Sequence, residues 1–80
     1  MNNEKGIKVL TMRGAADSGL LARVVGIFAQ LDLPPPAMQV RVDGNTMEAV
    51  LMVDALGSVE QQAVNRKIAA FVGVDSCIAA

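Results

Sequence analysis

The hydrophobic period of this sequence switches repeatedly between two and about 3.6 residues, and the order of the switches leaves few folds open. Ile7, Val9, Leu10, Thr11 and Met12 alternate loosely, as a strand does, with apolar residues on both faces. Such a strand is expected at the centre of a sheet. From Gly19 the pattern becomes helical: Leu20, Leu21, Val24, Val25, Phe28 and Leu31 recur at spacings of three and four and form one broad apolar face. Met38, Val40 and Val42 then alternate with Gln39, Arg41 and Asp43. A second alternating run puts Met47, Ala49, Leu51 and Val53 on one face and Val50 and Met52 on the other. Val64, Ile68 and Phe71 restore a helical face before a last short strand, Val74 to Ala79.

Residues that punctuate these runs set the expected boundaries. Gly14 is expected to turn the chain, with Ala15 to Ser18 as a short loop and Asp17 or Ser18 as the helix N-cap. Pro34-Pro35-Pro36 ends the first helix, because proline cannot donate and disfavours helical geometry in the residue before it. Asp43-Gly44-Asn45 tolerates positive φ and makes the hairpin turn. Ser58 opens the second helix with a capping box to Gln61, and Gly73 closes it as the C′ residue. The expected elements are strands at about 7–13, 37–43, 46–54 and 74–79, with helices at about 19–32 and 59–72.

This β-α-β-β-α-β order, with right-handed crossovers, gives an α+β fold: a ferredoxin-like sandwich whose four-stranded antiparallel sheet carries both helices on one face. The whole chain, 1–80, is expected to be one such domain. Composition then poses a question. The chain is 52% hydrophobic with mean hydropathy +0.41, yet a domain of 80 residues buries only about 60–65% of the surface its unfolded chain exposes. Helices on one sheet face leave the other face and the sheet edges to a partner.

The same composition excludes most chemistry. There is no histidine, tryptophan or tyrosine, so imidazole bases, Cys/His metal cages and stacking platforms for bases are absent. Seven basic against eight acidic residues give a net charge of −1, without the basic excess of a nucleic-acid binder. Cys77 has no second cysteine for a disulfide or a C-x-x-C metal loop, and on the last strand it reads as a small buried hydrophobe. Asp17 and Arg23 are the only phosphate-handling candidates near the first loop, and they read better as an N-cap and a solvated helix residue. Arg13, Arg23 and Arg41 are candidate partner contacts, with solvated surface charge as the simpler account. No apolar stretch is long enough to span a bilayer, and Met1 to Gly6 lead into no signal-peptide core. A cytoplasmic binding module, not an enzyme, with no cofactor, nucleic acid or membrane, is the expectation.

Gly19 stands where a helix start lets a ligand approach free backbone N–H groups, which favour a carboxylate. By itself it marks no more than a tight strand-to-helix turn. Around it, Asp17 to Gln30, D-S-G-L-L-A-R-V-V-G-I-F-A-Q, resembles the first loop and helix of the ACT domain. More narrowly, it is similar to the small regulatory subunits of acetohydroxyacid (acetolactate) synthase. Those read S-G-x-L-x-R-V-x-G-x-F-x-Q here, matched by Ser18, Gly19, Leu21, Arg23, Val24, Gly26, Phe28 and Gln30. Outside this segment only the hydrophobic pattern agrees.

The resemblance implies a non-catalytic chain of the short, single-domain type, in branched-chain amino-acid biosynthesis. It implies a homodimer that joins two sheets side by side and activates a separate thiamine-diphosphate-dependent catalytic subunit. Any thiamine diphosphate or flavin would be held by that partner. An effector, a branched-chain amino acid, would bind the loop Ala16, Asp17, Ser18, Gly19 and Leu20 against Pro34 and Pro35 of the neighbouring copy. Two departures count against tight effector binding. Ala16 stands where the family has an asparagine, and Pro34-Pro35 stand where it has Asn-Ile, so both ligand-holding amides are missing. The expectation is therefore weak or absent valine sensitivity. The alternative is a free-standing ACT homodimer that senses another small molecule.

Overall fold

The computed structural model describes residues 7–54 and 56–79. The elements run β1 (Lys8–Ala15), α1 (Ser18–Gln30), β2 (Ala37–Asp43), β3 (Thr46–Val53), α2 (Ser58–Ala69) and β4 (Val74–Ala79). The strands form one antiparallel sheet in the order β2-β3-β1-β4, the ferredoxin-like arrangement expected from the sequence. β1 is central, flanked by β3 and β4, and β2 and β4 are the edges.

One face of the sheet carries the core. Leu10 and Met12 of β1 and Met47, Ala49, Leu51 and Val53 of β3 pack with Leu20, Val24, Ile27 and Phe28 of α1 and Val64 and Ile68 of α2. Nearly all of these are fully buried, and among the described residues no polar or charged residue is buried with them. Because strand side chains alternate, the register assigns Val9, Thr11, Arg13, Glu48, Val50, Met52, Gln39, Arg41, Ser76 and Ile78 to the opposite, open face. Cys77 pairs with Met12 on the helix side, where it is half-buried against the core and burial raises its thiol pKa. No helix of the described residues is long and apolar enough to cross a membrane.

Four expected boundaries are corrected. Gly14 does not turn the chain; it lies inside β1, paired with Met47 and Val74, at a bulge between β1 and β4. The chain there passes so close to β4 that a Cβ on Gly14 would overlap the Gly73 carbonyl oxygen. Gly73 has φ +99° but lies beyond the helix end, Ala70 being the C-cap, so it shapes the turn into β4 and is not a C′ residue. Ser58 is the first helical residue of α2 and not its cap: Gly57 is the N-cap, its carbonyl accepts from Gln61 N–H, and no side chain caps the end. Lastly, α1 stops at Gln30, before the prolines act. Leu33 N–H donates to the Phe28 carbonyl and Asp32 N–H to that of Ala29, with Asp32 at φ 57°, which is a Schellman motif.

Candidate functional site

The β1–α1 loop is held by backbone bonds to two distant turns. Ala15 N–H donates to the Gly73 carbonyl at 2.8 Å, and Ala16 N–H to the Asn45 carbonyl of the β2–β3 hairpin at 3.0 Å. Asp17, extended at φ −140° and ψ 117°, is then the N-cap of α1, and its Oδ1 accepts the Gly19 N–H at 2.9 Å. Leu20 and Leu21 N–H groups donate to the Asp17 carbonyl. From Ala15 to Leu21, only the Asp17 and Ser18 N–H groups make no hydrogen bond to another described residue.

This changes what the loop can do. Ala16, Asp17, Ser18 and Gly19 are exposed, and Leu20 is buried in the core. The Gly19 N–H, the group a ligand carboxylate would seek, is already taken by a carboxylate of the chain itself. A second anion here meets the Asp17 charge at close range, with no opposing amide at Ala16. Pro34 and Pro35 are exposed but follow the other end of α1. A helix of that length separates them from the loop by about 18 Å. One copy of the chain therefore does not bring these seven residues into one site.

Two features escaped the sequence reading. The first is a charged row across the open sheet face. In register, Arg41 lies opposite Glu48, Glu48 opposite Arg13, and Arg13 opposite Ser76. Arg13 Nε and Glu48 Oε2 are 3.1 Å apart. A concavity of about 520 Å³ over this row also takes in Asp43 and Asp75. Its charges are mixed in sign and largely solvated, so an exposed pair such as Arg13–Glu48 contributes under about 1 kcal/mol. Glu48, the one charge inside an otherwise apolar strand, was its available signal.

The second lies beside β2. Val40 and Val42, on the helix side of this edge strand, are 36% and 65% exposed, and Val25 of α1 is 38% exposed. Leu21 and Val25 are one turn apart, on the flank of α1 opposite the Arg23–Ile27 flank that faces α2. The edge strand and the helix above it thus share an uncovered apolar stripe.

No protein-family model matches the sequence, and no curated protein is detectably similar to it. Solved structures do resemble the fold. The crystal structure of the ACT domain from GTP pyrophosphokinase of Chlorobium tepidum superposes with a TM-score of 0.79 at 12% identity, covering 94% of this chain and 97% of that one. The solution NMR structure of the same domain gives a TM-score of 0.75 at 12% identity, over 92% and 84% of the two chains. At this identity the likeness shows the fold.

Proposed function

From the ACT-domain fold as premise, we propose that this chain is a non-catalytic regulatory module that pairs with a second copy along the β2 edge. The observation that carries the reading is the stripe of Val25, Val40 and Val42 beside an edge strand that, among the described residues, has no neighbour on its outer side. Pairing two β2 edges would satisfy their outward backbone groups and cover the stripe from both copies. It would also set Pro34 and Pro35 of one copy, just before β2, near the junction.

The finer reading is that the pair activates the catalytic subunit of an acetolactate synthase. It is supported by the Asp17–Gln30 segment, whose Ser18, Gly19, Arg23, Gly26, Phe28 and Gln30 follow the small-subunit pattern. Valine should act weakly or not at all, because Ala16 and Pro34-Pro35 supply no amides and Asp17 already caps Gly19. Reconstitution is the test: adding this chain should raise acetolactate synthesis by the catalytic chain encoded with it, and sedimentation should show a dimer that Val42→Glu dissociates. A monomer at micromolar concentration would refute the pairing. A dimer without effect on the synthase, stabilised thermally by some other small molecule, would favour the free-standing sensor instead.

A further inference from the structure

Between α1 and α2 runs a groove of about 520 Å³ that the loop and the β2 edge do not share. Arg23, Gly26, Ile27 and Gln30 form one wall; their spacing of three and four places them on a single flank of α1. Lys67 and Phe71 lie across from them. Gly26 opens the groove, since a Cβ there would meet nothing within 4 Å. Ile27, only 5% exposed, and the half-buried Phe71 make the interior apolar.

The charged groups are all of one sign. The Arg23 guanidinium stands over the Phe71 ring, 5.9 Å from its centroid, a cation–π range that places the charge above the apolar interior. Lys67 supplies a second cation, and no acidic residue lines the groove. The only ion pair among the described residues is Arg13–Glu48, so neither Arg23 nor Lys67 is paired with a carboxylate of those residues. Asp17 Oδ1 and Arg23 Nη1 both come near Gly19, within 3.3 and 3.8 Å of where a Cβ would stand. The Asp17 carboxylate is engaged by the Gly19 N–H.

We infer that this groove binds a small organic anion with an apolar body, of the medium-chain carboxylate class. The anionic head is held between Arg23 and Lys67. The hydrocarbon lies along Gly26, Ile27 and Phe71. The volume suits a small-molecule site. The wall from Arg23 to Gln30 is about 11 Å long, which matches such a chain better than a partner helix. This inference does not depend on pairing or on the synthase.

Titrating the ¹⁵N-labelled full chain with octanoate, octanol and octylammonium tests it. Octanoate should shift the Gly26, Ile27 and Phe71 amides saturably, octanol should bind at least about tenfold more weakly, and octylammonium should not compete. Arg23→Gln with Lys67→Gln, both at exposed positions, should weaken octanoate by at least about tenfold without changing the fold's amide spectrum elsewhere. Gly26→Leu, which fills the groove, should abolish the shifts. Equal binding of octanoate and octanol, shifts confined to Ala16–Leu20, or no saturable binding at all would each overturn the assignment.

Discussion

Asp17 Oδ1 accepts the Gly19 N–H at 2.9 Å, so the first turn of α1 is closed by the chain's own carboxylate. The helix has no acidic residue within its first turn, which leaves Asp17 as the negative group facing the positive end of its dipole. Asp17→Ala removes both the cap and the charge and should cost about 1 kcal/mol. In a domain of this size that lowers the thermal midpoint by about 4–8 °C, readable by circular dichroism. Asp17→Asn should keep most of the stability. An unchanged midpoint in the alanine variant would show that the cap does not hold the helix.

At the other end of α1, Asp32 occupies the left-handed position of the Schellman turn at φ 57°. Glycine adopts that conformation without the Cβ penalty, and a carboxylate is unfavourable at the negative end of a helix. Asp32→Gly should therefore stabilise by about 0.5–1 kcal/mol in urea denaturation, while Asp32→Val should destabilise. The opposite order would contradict the assigned turn.

Gly14 and Gly26 should respond oppositely to alanine. At Gly14 the added methyl meets backbone: the Gly73 carbonyl oxygen, and Val74 Cα at 3.1 Å. Neither can move without disturbing the β1–β4 bulge, so a loss of about 1–3 kcal/mol is expected. At Gly26, in the middle of α1, the methyl meets open space and the helix gains propensity, up to about 1 kcal/mol. Paired urea titrations decide this, and equal effects at the two sites would count against the close approach at Gly14.

Burial raises the Cys77 thiol pKa, so the folded chain holds the thiol proton more tightly than the unfolded chain. The thiol's contribution to stability is then fully present below the unfolded thiol pKa and is lost as pH rises through the higher folded value. Alkylation by iodoacetamide near pH 8 should be slower than for a free thiol and should speed up on adding denaturant. Native-state labelling at the free-thiol rate would be incompatible with this packing.

Much of the fold is legible in short-range patterns. The alternation at Met47, Ala49, Leu51 and Val53 matches the buried face of β3, and the three-and-four spacing from Leu20 to Phe28 matches the core face of α1. The Asp43–Asn45 hairpin and an Asp17 cap follow from residue type. Ser58 and Gly73 show where this reading fails. Each is a suitable capping residue, but the helix begins at Ser58 itself, one residue earlier than expected, with Gly57 as its cap, and it ends at Ala69, three residues early. For the candidate loop, sequence shows Asp17 and Gly19 two positions apart at a helix start. It does not show that Asp17 already occupies the Gly19 N–H.

The sequence by itself determined the order of elements and which face of each is apolar, because periodicity depends on neighbours within a turn or two of chain; it did not determine that the apolar face of β2, with Val40 and Val42, stays uncovered. Tertiary structure decided what depends on residues far apart along it. Gly14 became a contact point because Gly73 passes beside it, and Glu48 found Arg13 from 35 positions away. Arg23 and Lys67 became two cations over one apolar groove because the sheet sets α1 and α2 side by side. Those juxtapositions are fixed by strand order and helix packing, long-range quantities that no local spacing encodes.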